Sequence, residues 1–150
     1  MATGTHQDDD DDFASDGILE AARAIRPYLD GLVGPAADEL DNDIAALLTR
    51  ARRGEEVSAS LRELMDSRPA TRLFLMEVFH DRPYYRPPQI QPDYRTSRSG
   101  TPGSHATAGE PEPVRADRYT CPDEDYVWYR PAIGTPIPVC PTHKTSLILT

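Results

Sequence analysis

The sequence predicts an α+β protein with a small N-terminal helical bundle, a Pro-rich flexible linker and a small C-terminal β module. Three observations lead to this prediction. Apolar residues recur every three or four positions between residues 16 and 80, prolines crowd the segment 82–118, and aromatic and apolar residues alternate after residue 119. We therefore divide the chain into residues 1–12, 13–81, 82–118 and 119–150.

Residues 1–12 are predicted to form a disordered acidic leader, because the five adjacent carboxylates of Asp8 to Asp12 repel one another and bury nothing. The leader has no basic region followed by an apolar stretch, so we do not expect a signal peptide, and a cytoplasmic location is the default. The formal net charge is −9. Without a basic stripe or an apolar run of about 20 residues, we expect neither nucleic-acid nor membrane partners.

The first predicted helix has one apolar stripe at spacings of four and three, made of Ile18, Ala22, Ile25, Leu29 and Leu32. Asp16 is a candidate N-cap and Gly34 a candidate stop signal after the last turn. Pro27 lies inside the pattern and is expected to kink or split the helix.

Three further helices are predicted between residues 35 and 80. Pro35 suits the first position of the second helix, which Gly54 ends, and a short third helix follows from Val57. Pro69 begins the fourth helix, which is apolar nearly all round and is therefore expected to be the most buried. The result is a bundle of three or four helices.

Residues 82–118 are rich in Pro, Ser and Gly and are predicted to be a flexible linker. The stretch from Arg82 to Pro88 contains Tyr84 and Tyr85, so it is an exception. It is expected to lie as an extended strap on the bundle or on a partner, or to remain free.

Residues 119–150 are predicted to form two or three short strands. Residues 126–131 alternate as a strand does, residues 133–136 indicate a turn, and residues 147–149 form a last strand. A unit of this size normally needs a cross-link to be stable.

The only two cysteines are the candidates for that cross-link. Cys140 and His143 form a C-x2-H turn, whose spacing lets a thiolate and an imidazole converge on one ion, and Cys121 opens a similar Cys-Pro turn upstream. The first turn has no second cysteine or histidine, so Glu124 or Asp125 would supply the fourth ligand. We favour Asp125 because it directly precedes a strand, and His105 is a remote candidate.

Two Cys-Pro turns around the string DYVWYR, with the C-P-x-H turn at its end, resemble the degenerate zinc ribbons with rubredoxin-like knuckles that recur in actinobacterial multidomain signalling and conflict proteins. The resemblance covers about a fifth of the chain, residues 119–150. It implies a zinc-ribbon-like module with a structural zinc and a role in protein interaction. A disulfide between Cys121 and Cys140, or a metal-free fold with free thiols, remains an alternative.

The resulting hypothesis is a non-enzymatic adaptor or assembly subunit that binds protein partners, in which the linker sets the reach between bundle and module. The alternatives are a small zinc-dependent enzyme or metal-dependent regulator, and a nucleic-acid-binding ribbon. The sequence has no nucleophile–base pair or phosphate-binding glycine loop, so we expect no catalysis. We expect Tyr126, Trp128 and Tyr129 to form the core of the module, with a ligand platform as the alternative.

Overall fold

The structure is a computed structural model that describes residues 7–82, 84–91 and 116–150, with side chains described from residue 15 onwards. The predicted α+β class is confirmed: five α-helices precede a three-stranded antiparallel sheet in these ranges. Residues 1–6 of the predicted leader and residues 83 and 92–115 of the predicted linker, including His105, lie outside the described residues. None of the described helices has the length and apolar character needed to cross a membrane.

Helix α1 spans Gln7–Ile25 and thus includes the aspartate run, which we expected to be unstructured. The choice of Asp16 as N-cap is therefore wrong, because this residue lies in the middle of the helix. Acidic residues favour a helical N-terminus through the helix dipole, which accounts for the earlier start. Pro27 splits the helix as predicted, since a 3₁₀ turn, Arg26–Tyr28, separates α1 from α2, Leu29–Val33.

Helices α3, α4 and α5 span Ala37–Arg52, Ser58–Asp66 and Pro69–His80. Gly34 and Gly54 follow α2 and α3 with φ of 59° and 91°, a conformation that glycine adopts without strain.

The expectation that α5 is the most buried helix is wrong, because Leu73 and Met76 are 56% and 52% exposed. Periodicity alone cannot show this, since so small a bundle covers only one face of the helix. That covered face contributes Phe74, Leu75 and Val78 to the core.

The bundle has one apolar core, to which all five helices contribute. Its fully enclosed members include Ile25 from α1, Ile44 from α3, Leu61 and Met65 from α4, and Val78 from α5. The stripes of α1 and α3 therefore face the same interior, as their spacing predicts.

The stretch predicted as a strap, residues 82–88, is described at residues 82 and 84–88 and lies on the bundle. The Tyr85 ring packs edge-on against Phe79 with 5.6 Å between centroids, and Pro87 is fully buried. The Arg86 guanidinium donates to both carboxylate oxygens of Asp81 at 2.7 and 3.0 Å. Of the three possibilities considered for this stretch, the structure thus shows the strap on the protein itself.

The C-terminal module, residues 116–150, contains strands β1 (Arg118–Thr120), β2 (Val127–Tyr129) and β3 (Ile148–Leu149) in the order β2-β1-β3. Tyr119 pairs with Trp128 on one side and with Leu149 on the other. Strands β2 and β3 match the prediction, whereas β1 was not predicted, because three residues show no alternation. Tyr126 is buried in the module core and Trp128 packs against Tyr119 there, as predicted, whereas Tyr129 is buried but lies outside this core cluster.

The module packs against the bundle and is not held at a distance from it. Arg118 of β1 donates to both carboxylate oxygens of Glu20 on α1 at 3.0 and 2.9 Å. Arg23 donates to the Glu124 carbonyl at 2.7 Å. The prediction that a flexible linker sets the distance between bundle and module is therefore wrong, because these side-chain contacts hold the two units together.

Candidate metal centre

Two knuckles, Cys121–Asp125 and Cys140–His143, form the site. In the first knuckle the Cys121 N–H donates to the Tyr126 carbonyl at 2.9 Å, and in the second the Cys140 N–H donates to the Thr145 carbonyl at 2.9 Å. Each cysteine thus starts a turn that closes five residues later. Such turns point the cysteine side chain and a later side chain to the same side.

A residue with positive φ lies in or next to each knuckle. Glu124, with φ of 58°, is part of the first knuckle, and Lys144, with φ of 55°, directly follows the second. A non-glycine residue in this conformation is uncommon, and it occurs where the surroundings fix the backbone. In the first knuckle this bend places Asp125 next to the cysteines. The Glu124 side chain is exposed and does not belong to the cluster.

The potential ligand atoms of Cys121, Asp125, Cys140 and His143 all lie within 4.8 Å of one another. The His143 Nδ1 lies 3.7 Å from each of the two sulfurs and 3.2 Å from Asp125 Oδ2. The Cys140 Sγ lies 3.6 Å from Asp125 Oδ1. The four residues therefore form one compact group.

These distances match the edges of a tetrahedral zinc shell. From ordinary bond lengths, the edges are about 3.6 Å for sulfur–nitrogen, about 3.5 Å for sulfur–oxygen and about 3.4 Å for nitrogen–oxygen. The structure gives four of the six ligand–ligand separations, and each differs from its edge by about 0.2 Å or less; the two that involve Asp125 are measured to different oxygens of its carboxylate. The residues present thus fit zinc in chemical type, and the separations given are those that a tetrahedral zinc site requires.

Burial makes the group unusual without a cation. Cys121, Asp125 and Cys140 are 1%, 1% and 0% exposed, and Asp125 Oδ2 has no hydrogen-bond partner among the described residues. Desolvation raises the pKa of the Cys121 thiol to about 12, although the Asp123 N–H, 3.4 Å from the sulfur, favours the thiolate. A divalent ion would deprotonate the thiol and satisfy the unpaired oxygen.

Both cysteines are free, so the structure does not contain the alternative disulfide. It brings together four of the five residues selected from the sequence, namely Cys121, Asp125, Cys140 and His143, and leaves Glu124 outside. It also adds Asp123, whose Oδ2 lies 3.4 Å from His143 Nδ1 and whose Oδ1 pairs with Arg52.

The sequence prediction missed Arg26, which is 5% exposed. Its guanidinium donates to the carboxylate of Asp41, to the Asp125 carbonyl and to Thr142 Oγ1. A signal was present in the sequence, because a charged residue four positions after Ala22 falls on the apolar stripe of the first helix.

Comparisons with known proteins give no relative: no protein-family model, no curated protein and no solved structure matches this chain.

Proposed function

We propose that this chain is a non-enzymatic adaptor or assembly subunit, and that a structural zinc ion holds its C-terminal module together. The observation that carries the proposal is the convergence of two thiols, one imidazole and one buried carboxylate, whose potential ligand atoms all lie within 4.8 Å of one another. Two sulfurs with nitrogen and oxygen suit zinc better than magnesium or calcium, which prefer all-oxygen sites. Both thiols must stay reduced to bind, which agrees with a cytoplasmic location.

A structural role is supported over a catalytic one by the number of protein ligands. Catalytic zinc sites keep one position for water, whereas structural sites are filled by four side chains. Here four side chains converge, and three of them are buried. A zinc-dependent enzyme would instead require an exchangeable water and a loss of activity on changing Glu124.

Binding of protein partners is supported by the exposed apolar side chains on two faces of the molecule. Leu73 and Met76 lie on α5, and Ile148 and Leu149 lie on β3, all more than half exposed. A protein partner that covered these side chains would remove their apolar surface from water, which favours binding. Because the module packs on the bundle, the two faces have a fixed relative position, as an assembly subunit requires.

The test of the zinc proposal is metal analysis of protein purified without chelator, with Cys140→Ser and Asp125→Ala alongside. We expect one zinc per chain in the wild type, little in Cys140→Ser and reduced content in Asp125→Ala. Wild-type protein without metal would refute the proposal.

The adaptor role is tested by capturing partners with wild-type protein and with Leu73→Asp and Ile148→Asp. A partner that is captured by the wild type and by one of these variants, but not by the other, binds at the changed position. Such a partner supports the adaptor role. A gel shift at low salt distinguishes the nucleic-acid alternative, for which the net charge of −9 is unfavourable.

A further inference from the structure

The Arg26 side chain belongs to the bundle but contacts both knuckles of the module. Its Nη1 donates to the Asp125 carbonyl of the first knuckle at 2.7 Å, and its Nη2 donates to Thr142 Oγ1 of the second at 2.5 Å. Asp125 is itself a ligand candidate, and Thr142 directly precedes His143. One guanidinium thus fixes the separation of the two turns.

The charge of Arg26 is already balanced elsewhere. Its Nε and Nη2 donate to the two carboxylate oxygens of Asp41 on α3 at 2.6 and 3.1 Å. The Asp125 carboxylate is farther away, with Nη1 3.6 Å from Oδ2 and no hydrogen bond to that oxygen. Arg26 therefore holds the backbone of the first knuckle while leaving the Asp125 carboxylate available to an ion.

The site of Arg26 is closed to solvent and shaped for a planar group. The side chain is 1% exposed, and its guanidinium carbon lies 5.4 Å from the centroid of the Tyr126 ring. A guanidinium can donate in several fixed directions within one plane, whereas an ammonium cannot. Lysine at this position would keep the charge but could not make the same set of bonds.

We propose that Arg26 is a positioning residue of the metal site, so that the helical bundle sets the zinc affinity of the module. This inference rests on the proposed zinc site. It follows that the Arg26 contacts and the ion are linked: zinc stabilises these contacts to the same extent that they strengthen zinc binding. Residues that orient metal ligands without touching the ion typically change affinity by about 10- to 100-fold when replaced.

The experiment measures zinc affinity of the full chain by competition with a chromogenic chelator, in wild type, Arg26→Lys and Thr142→Val. We expect affinity to fall by about 10- to 100-fold in Arg26→Lys and by about tenfold in Thr142→Val. The matched control is Glu20→Gln, which weakens the bidentate pair with Arg118 in the same interface and is connected with the first knuckle only through Arg23, 3.6 Å from Glu20. Its zinc affinity should equal that of the wild type.

The control distinguishes a residue that positions the metal ligands from one that only contributes to the contact between bundle and module. If Arg26 only joined the two parts, its loss would weaken metal-free and zinc-bound protein equally, and zinc affinity would not change. Wild-type affinity in a folded Arg26→Lys variant, judged by its helical circular dichroism, overturns the inference and leaves the zinc proposal intact. If Arg26→Lys does not fold, Thr142→Val decides, and wild-type affinity there overturns the inference. Wild-type protein that binds no zinc refutes both proposals.

Discussion

Replacing Asp125 by Asn should have opposite effects in the presence and absence of zinc. Asparagine has the same shape, and the Asp125 carbonyl that accepts from Arg26 stays in place. The change therefore removes one anionic oxygen while preserving the contact with the bundle. Without an ion, that oxygen belongs to a carboxylate that is 1% exposed and whose Oδ2 accepts no hydrogen bond from the described residues.

The magnitude for the zinc-bound protein follows from linkage. Free zinc at 1,000 times the Kd adds about 4.1 kcal/mol to the free energy of unfolding, and a Kd raised about 100-fold leaves about 1.4 kcal/mol. The variant should thus lose about 2.7 kcal/mol of zinc-dependent stability, which lowers Tm by roughly 5–11 °C for a chain of this size. In excess chelator, Asp125→Asn should be as stable as the wild type or more stable, because a neutral amide costs less to bury than an anionic carboxylate.

The assay is thermal unfolding followed by circular dichroism, once with buffered free zinc and once with chelator. Glu124→Gln is the matched control, because it changes the neighbouring carboxylate, which is exposed and outside the cluster. Equal zinc-dependent shifts in Asp125→Asn and wild type would show that the carboxylate is not a ligand. A loss in Glu124→Gln as large as in Asp125→Asn would refute the assignment of the fourth ligand.

Further predictions concern the bundle and the module core. Phe74→Ala should reduce the free energy of unfolding by about 3–5 kcal/mol, because the side chain is 2% exposed. Leu73→Ala should reduce it by less than about 1 kcal/mol, because Leu73 is 56% exposed. Urea denaturation measures both changes. Gly31→Ala should stabilise the protein by about 0.5–1 kcal/mol, because the added Cβ meets no atom within 4 Å. Gly17→Ala should not stabilise it, because the added Cβ would lie 2.7 Å from the Tyr85 ring. Burial raises the pKa of Tyr126 to about 12, so the folded state holds its phenolic proton after the unfolded state has lost it. Stability should therefore fall as pH rises from about 10 to 12, and Tyr126→Phe should flatten this fall in urea midpoints measured at several pH values; an unchanged slope would contradict the assignment.

Features encoded by local patterns could be predicted from the sequence. The apolar stripes gave the helices, and Pro27 gave the break between α1 and α2. Asp125 was preferred over Glu124 because a strand follows it, and the structure places Asp125 with the cysteines. Each of these features, namely the helices, the break at Pro27 and the choice of Asp125, was predicted from residues close to it in the sequence.

Features that depend on distant residues could not be predicted in this way. The exposure of Leu73 and Met76 depends on which elements cover α5. The pairing of β1 depends on partners at Val127–Tyr129 and Ile148–Leu149. The role of Arg26 depends on residues 99 and 116 positions away, which no local pattern records.

These long separations bear on the order of folding. While the chain is being synthesised, the bundle emerges before either knuckle, so at that stage Asp41 is the only one of the Arg26 hydrogen-bond partners described here that has been made. The hydrogen bonds of Arg26 to the two knuckles join residues 99 and 116 positions apart, and contacts of such separation form late because they require the largest loss of chain entropy. A ribosome-bound chain ending before Cys121 should therefore retain helical structure yet take up no zinc, and metal capture would mark the completion of folding.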